Sequence, residues 1–295
     1  MSKLLNTTSQ RVLACGLLAG ALCAGAALIP ALAADTNAAA SSAPIFSPAP
    51  NSGWVPDRIT GDDFLPPTGG GPGPVMSDPK HPYVPNGGGR QSTYRIADLT
   101  NPILKPWAID KMKKANDEVM AGKVPYITRE RCWPAGVPGS TVFTRGGQPL
   151  FFYQTPNKVT IVNELNAEVR HVYLNVPHSK NPKPSWYGES VGHYESDELV
   201  IDTIGLNDRT PVDNYRTPHT GQIHVVERFK LIEGGKILQS TITVDDPGAF
   251  NMPWSAVQRW RQTDRILAEN PCAENNTGFF DYDVVPIPLA AKPDF

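Results

Sequence analysis

From Gln148 to Thr263 apolar and polar residues alternate with a period of two, broken at short intervals by turn residues, which is the pattern of an antiparallel meander. The alternation predicts strands over 149–154, 158–164, 168–174, 189–195, 198–204, 222–232, 236–244 and 255–263. Turn chemistry separates several of them, at Thr155-Pro156-Asn157, at Glu195-Ser196-Asp197 and at Gly234-Gly235. Eight strands joined mostly by hairpins can close a lipocalin-like, up-and-down antiparallel barrel around one small ligand, and closure removes the exposed edges of an open sheet. A flattened sandwich is the competing arrangement.

Ahead of the meander the period is 3.6. Trp107, Met112, Ala115, Val119 and Met120 recur at helical spacing behind Pro106, with Gly122 at the stop, so one amphipathic helix of about four turns is expected. Residues 34–100 are rich in Ala, Ser, Pro and Gly, with PPTGGGPGP and PNGGGR and few aliphatic side chains. Such a stretch does not offset its ordering entropy by burial and reads as a disordered arm. In the alternative, Trp54, Phe64 and Tyr83 dock on the body. Residues 101–295 then form the folded domain, ending in an extended tail.

Residues 1–33 carry Lys3 and Arg11, then an apolar and small-residue run that closes on Ala31-Leu32-Ala33, the layout of a cleaved signal peptide. A membrane anchor is the rival reading. Export to the periplasm or beyond is expected, with no membrane attachment after cleavage. Loss of Lys3 and Arg11, with no acid removed, moves the formal charge from −2 to −4, which argues against a nucleic-acid partner. Cys132 and Cys272 remain in the mature chain, and in an oxidising compartment a disulfide between them is expected. The oligomeric state is not legible.

The densest polar chemistry lies between Trp186 and Arg228, which holds His193, His219 and His224. Within strand 222–232, alternation places Ile223, Val225, Glu227, Phe229 and Leu231 on one face and His224, Val226, Arg228 and Lys230 on the other. Glu227 therefore falls amid apolar neighbours, where a carboxyl must be paired with a cation, accept several hydrogen bonds, or stay protonated. One reading makes it a general acid or base partnered by His193 or His224, with Arg228 or Arg259 steadying negative charge. The other is a structural ion pair with an inward arginine such as Arg259 or Arg261. Strand 168–174 groups Val169, His171 and Tyr173 on one face, inward or outward.

His219 and His224, with Glu227 three residues on, make a loose zinc or iron set, but no cofactor is expected because one histidine sits in a loop and the other in a strand. Trp186, Tyr194, Phe229, Asn207 and Arg259 are the candidate ligand-contacting residues. Asp202, Asn207, Asp208, Asp213 and Asn214 crowd one connection, where Asx residues commonly serve turns. No nucleophile elbow, phosphate loop or dinucleotide fingerprint occurs.

The chain resembles a family of exported bacterial proteins. The resemblance rests on Cys132-Trp133-Pro134-Ala135-Gly136-Val137-Pro138, on Trp186-Tyr187-Gly188-Glu189-Ser190-Val191-Gly192-His193-Tyr194-Glu195, on Asp202-Thr203-Ile204-Gly205-Leu206-Asn207-Asp208, on Pro218-His219-Thr220 with His224 and Glu227-Arg228, on Asp246-Pro247 with Pro253-Trp254, and on Cys272-Ala273-Glu274-Asn275-Asn276. It covers about 100–277, implies a single module with its cysteine pair, and carries no activity with it. The expectation is an exported barrel that binds an apolar or aromatic small molecule. Two uses of it compete: cofactor-independent acid–base catalysis by a lyase, isomerase or hydrolase, and non-catalytic carriage or sequestration.

Overall fold

The computed structural model describes residues 43–47, 52–84, 94–123, 132–143 and 148–270. Nine strands close a barrel in chain order: β1 (Gly53–Pro56), β2 (Leu150–Thr155), β3 (Lys158–Asn163), β4 (Glu168–Leu174), β5 (Glu189–Glu195), β6 (Glu198–Ile204), β7 (His224–Ile232), β8 (Ile237–Asp245) and β9 (Trp254–Thr263). One helix, α1 (Pro106–Met120), lies between β1 and β2 in sequence. Eight of these strands follow the period-two pattern. Two features depart from an eight-stranded up-and-down barrel.

The first departure is the ninth strand. β1 pairs antiparallel with β9 from Gly53↔Thr263 to Pro56↔Trp260 and meets β2 at Trp54↔Leu150, so it is the stave that closes the barrel. Trp54 is buried and its indole N–H donates to the Phe46 carbonyl at 2.8 Å. Phe46, Phe64 and Val75 are buried as well, and Tyr83 lies under the Arg95 guanidinium, 3.9 Å from ring to cation. The expectation of a disordered arm over 34–100 therefore fails for the described residues 52–84. A handful of large aromatics, each removing much apolar area from water, compensates for the scarcity of aliphatics.

The second departure is direction. β4 and β5 run parallel, with Val172↔Ser190, Tyr173↔Val191 and Leu174↔Gly192 in register, so the barrel is mixed. The crossover over 175–188 carries the chain back along the barrel. It is clipped to the rim by backbone bonds from Ser185 N to Gly205 O at 3.0 Å and from Asn207 N to Ser185 O at 2.9 Å. At its end Gly188 takes φ +61°, and a Cβ there would stand 2.3 Å from the Ile204 carbonyl oxygen. No other residue fits that approach without displacing β6.

The hairpins follow their turn chemistry. β7 and β8 are joined through Glu233, Gly234 and Gly235, all at positive φ, which the paired glycines accept without strain. In α1 the buried face is Ala108, Met112 and Asn116, spaced four apart, while Trp107 and Met120 of the expected apolar stripe are largely exposed. Asn116 replaces them because its amide forms a closed pair with Ala97, accepting from the backbone N–H and donating to the carbonyl, both at 3.0 Å. Among the described residues no helix is long and apolar enough to cross a membrane. The 1–33 leader and Cys272 lie outside the described residues.

Candidate functional site

The barrel interior is layered. One apolar cluster takes Val225, Ile242 and Ala256 together with Phe64, Met112 and Phe250; a second takes Phe229, Leu238 and Trp260 with Trp54, Phe152 and Leu199. Between them every strand from β3 to β9 sends in a polar side chain: Asn163, Arg170, Ser190, Thr203, Glu227, Ser240 and Gln258, none more than 4 % exposed. Glu227 thus lies between Val225 of one cluster and Phe229 of the other, Ser240 between Ile242 and Leu238, and Gln258 between Ala256 and Trp260. A polar belt runs across seven of the nine staves.

Arg170 on β4 is the hub of that belt. Its Nε donates to Ser190 Oγ at 3.1 Å and its Nη2 to Thr203 Oγ1 at 2.8 Å, and the two hydroxyls bond each other at 2.9 Å. Nη2 also stands 2.6 Å from Glu227 Oε2. Glu227 is fully buried, and neither of its oxygens accepts an aligned hydrogen bond among the described residues, so charge, not directional bonding, holds the pair. The structural pairing foreseen for Glu227 is therefore present with a different arginine. Arg259 and Arg261 project to the outside because β9 turns Trp254, Ala256, Gln258 and Trp260 inward. There Arg259 sits 3.4 Å from Asp57 and 2.5 Å from Glu233.

A second carboxylate shares this enclosure. Glu168, two residues before Arg170 on the same inward face, accepts the backbone N–H of Ala135 at 3.2 Å and the phenol O–H of Tyr187. Burial around its hydroxyl, and then the neighbouring Glu168 charge, raise the Tyr187 pKa well above the usual phenol value, so the phenol keeps its proton and donates. Glu168, Arg170, Tyr187 and Asn163 line a cavity closed by Leu150, Phe152, Ile161 and Phe229. Its free space is about 10 Å³, room for about one water. A barrel of this kind is compatible with small-molecule binding.

The remaining sequence candidates lie elsewhere. His224 and Arg228 alternate with Glu227 and so face outward, as does His193 on β5; the structure does not bring them to the buried carboxylate. His193 Nε2 is 2.8 Å from Glu195, which with Glu198 also holds Arg228 at 2.7 and 3.1 Å. His224 Nε2 is 2.8 Å from Asp202. His219 is buried in the β6–β7 connection, its Nδ1 2.9 Å from the Thr220 carbonyl, and burial lowers its pKa. His219, His224 and Glu227 are consequently in three separate environments, so the loose zinc or iron set is not assembled. Among the described residues no group of three or more His, Cys, Asp or Glu side chains is spread as a ready metal cage.

Of the ligand-contacting candidates, Phe229 lines the cavity. Tyr194 faces inward beyond it, its hydroxyl accepting from Gln154 Nε2 at 2.8 Å. Trp186, next to Tyr187, packs against Trp133 with ring centres 5.3 Å apart. Asn207 accepts the Arg209 N–H at 3.1 Å and serves a turn. Asp213 does likewise under burial, taking the N–H groups of Tyr215 and Thr217 and the Thr217 hydroxyl.

Sequence reasoning missed Glu168, Arg170 and Tyr187. Alternation alone leaves open which face of β4 turns inward; the signal was that Glu168, Arg170, Val172 and Leu174 end on two aliphatics, whereas the other face ends on tyrosine. No family model, curated protein or solved structure compared with the chain matches it.

Proposed function

We propose that the chain is an exported small-molecule-binding barrel whose ligand site is the belt cavity at Arg170, Glu168 and Tyr187. The observation that carries this reading is a buried guanidinium, a carboxylate and the protonated phenol that donates to that carboxylate, all opening on one cavity walled by Phe152 and Phe229. Charged groups are expensive to bury, and a cavity with an apolar wall and few convergent polar groups is the form of a ligand site. The ligand has an apolar or aromatic body lying against the phenylalanines and a polar group reaching the belt. Tyr187 is the side chain that moves to admit it, because it rides on the crossover and not on a strand. Export, by way of the 1–33 leader, and the Cys132–Cys272 disulfide belong to the same reading.

A crystal structure of the protein purified from its own cell envelope tests it. Organic density in contact with Arg170 and Tyr187 supports the site; density bound elsewhere overturns it.

A second reading, acid–base catalysis at the same cavity, is favoured by the Tyr187–Glu168 contact. Catalysis there uses the phenol as proton donor and Glu168 as its acceptor, in place of Glu227 with a histidine. In that case Tyr187→Phe removes turnover of the bound compound and keeps its affinity within about tenfold; a carrier shows no turnover in either form.

A further inference from the structure

We propose that His178, Asp202 and His224 bind one divalent transition-metal ion of the zinc class on the outer face of the barrel. Three elements converge there: His178 from the crossover, Asp202 from the middle of β6, and His224 from the start of β7. The Asp202 Oδ1 atom lies 2.9 Å from His178 Nε2 and 2.8 Å from His224 Nε2. On its far side His178 Nδ1 is 2.9 Å from Glu189 Oε1, which also accepts the Ser179 backbone N–H at 2.7 Å.

Both ring nitrogens of His178 therefore face carboxylate oxygens. A neutral imidazole has a single N–H, so one of these two contacts would set a nitrogen lone pair against an oxygen lone pair. A positive charge between the atoms relieves this, and either a second proton or a metal ion supplies it. Glu189 directs the choice of nitrogen. It takes the Nδ1 proton and leaves Nε2 aimed at Asp202. A carboxylate on one histidine nitrogen with the other nitrogen free is the arrangement that orients metal-ligating histidines.

The donors sit closer together than they would around an ion. Metal bonds of about 2.0–2.1 Å in a tetrahedral shell put the ligand atoms about 3.3 Å apart, whereas here they are 2.8 and 2.9 Å apart. Spreading by about half an ångström opens the shell, and side chains that are 21 %, 38 % and 42 % exposed can rotate that far. Their exposure leaves the outward positions of the ion to water or to an oxygen ligand.

Titration calorimetry of the purified full chain with zinc chloride, in a buffer that does not bind metals, tests the site. The wild type is expected to bind one equivalent saturably. His224→Ala and Asp202→Asn should each weaken binding at least tenfold, Glu189→Gln by about tenfold, and His193→Ala should leave it unchanged, with circular dichroism showing every variant folded. Absence of saturable binding to the wild type overturns the proposal, as does undiminished binding to both His224→Ala and Asp202→Asn.

Discussion

Arg170 Nη2 lies 2.6 Å from Glu227 Oε2 across the barrel interior, and Glu168 of Arg170's own strand opens on the same cavity. Removing the guanidinium strands the Glu227 charge, so Arg170→Met is expected to cost about 3–5 kcal/mol. Glu227→Gln leaves Arg170 its bonds to the Ser190 and Thr203 hydroxyls and should cost less, about 1–3 kcal/mol. Urea unfolding of the two variants checks the order; Glu227→Gln as the more damaging change would mean that the two hydroxyls do not hold the guanidinium without its carboxylate.

The closing strand depends on one side chain. Trp54 is 1 % exposed at the seam between β2 and β9, so Trp54→Ala should lose about 3–5 kcal/mol. Hydrogen exchange should then show β2 and β9 as the strands whose amides lose protection first. Unchanged protection of both would argue that β1 is dispensable for closure.

Burial raises the Asp213 pKa from 3.8 to about 6. The folded state therefore holds this proton more tightly than the unfolded chain. Its contribution to stability is complete below pH 3.8 and is lost as pH rises through about 6. Relative to Asp213→Asn, which does not titrate, the wild type should weaken by up to about 3 kcal/mol between pH 4 and 7. Chemical denaturation at several pH values reads this; parallel curves for the two proteins would contradict it.

Gly188 fixes the end of the crossover, at positive φ and 2.3 Å from where a Cβ would meet the Ile204 oxygen. Gly188→Ala is expected to destabilise by about 2–4 kcal/mol. It should also shift Tyr187 off Glu168, visible as a change in tyrosine absorbance on alkaline titration. A variant with wild-type stability and titration would separate Tyr187 from the crossover's geometry.

The hairpins from β2 to β9 were legible because alternation with a turn at each end is a local signal, complete within one strand pair. β1 was not, since Gly53-Trp54-Val55-Pro56 is too short to show a period and its pairing partner lies some two hundred residues away. The parallel β4–β5 step escaped for a similar reason: nothing in Val176 to Trp186 states which way the chain returns. At the site, the apolar setting of Glu227 could be read from β7 alone, and a buried cation was one of the three outcomes it allowed. Which cation met it depended on the inward face of β4, which Val172 and Leu174 set by packing with Leu199 and Phe152.

The claim that the belt cavity is the ligand site is tested most directly by native mass spectrometry of the protein as purified from its envelope, beside Ile161→Phe, which fills the cavity and leaves the charges in place. The account predicts one small molecule bound to the wild type and lost from the folded variant. The same molecule bound in equal amount to Ile161→Phe, or a wild type of bare polypeptide mass, would contradict it.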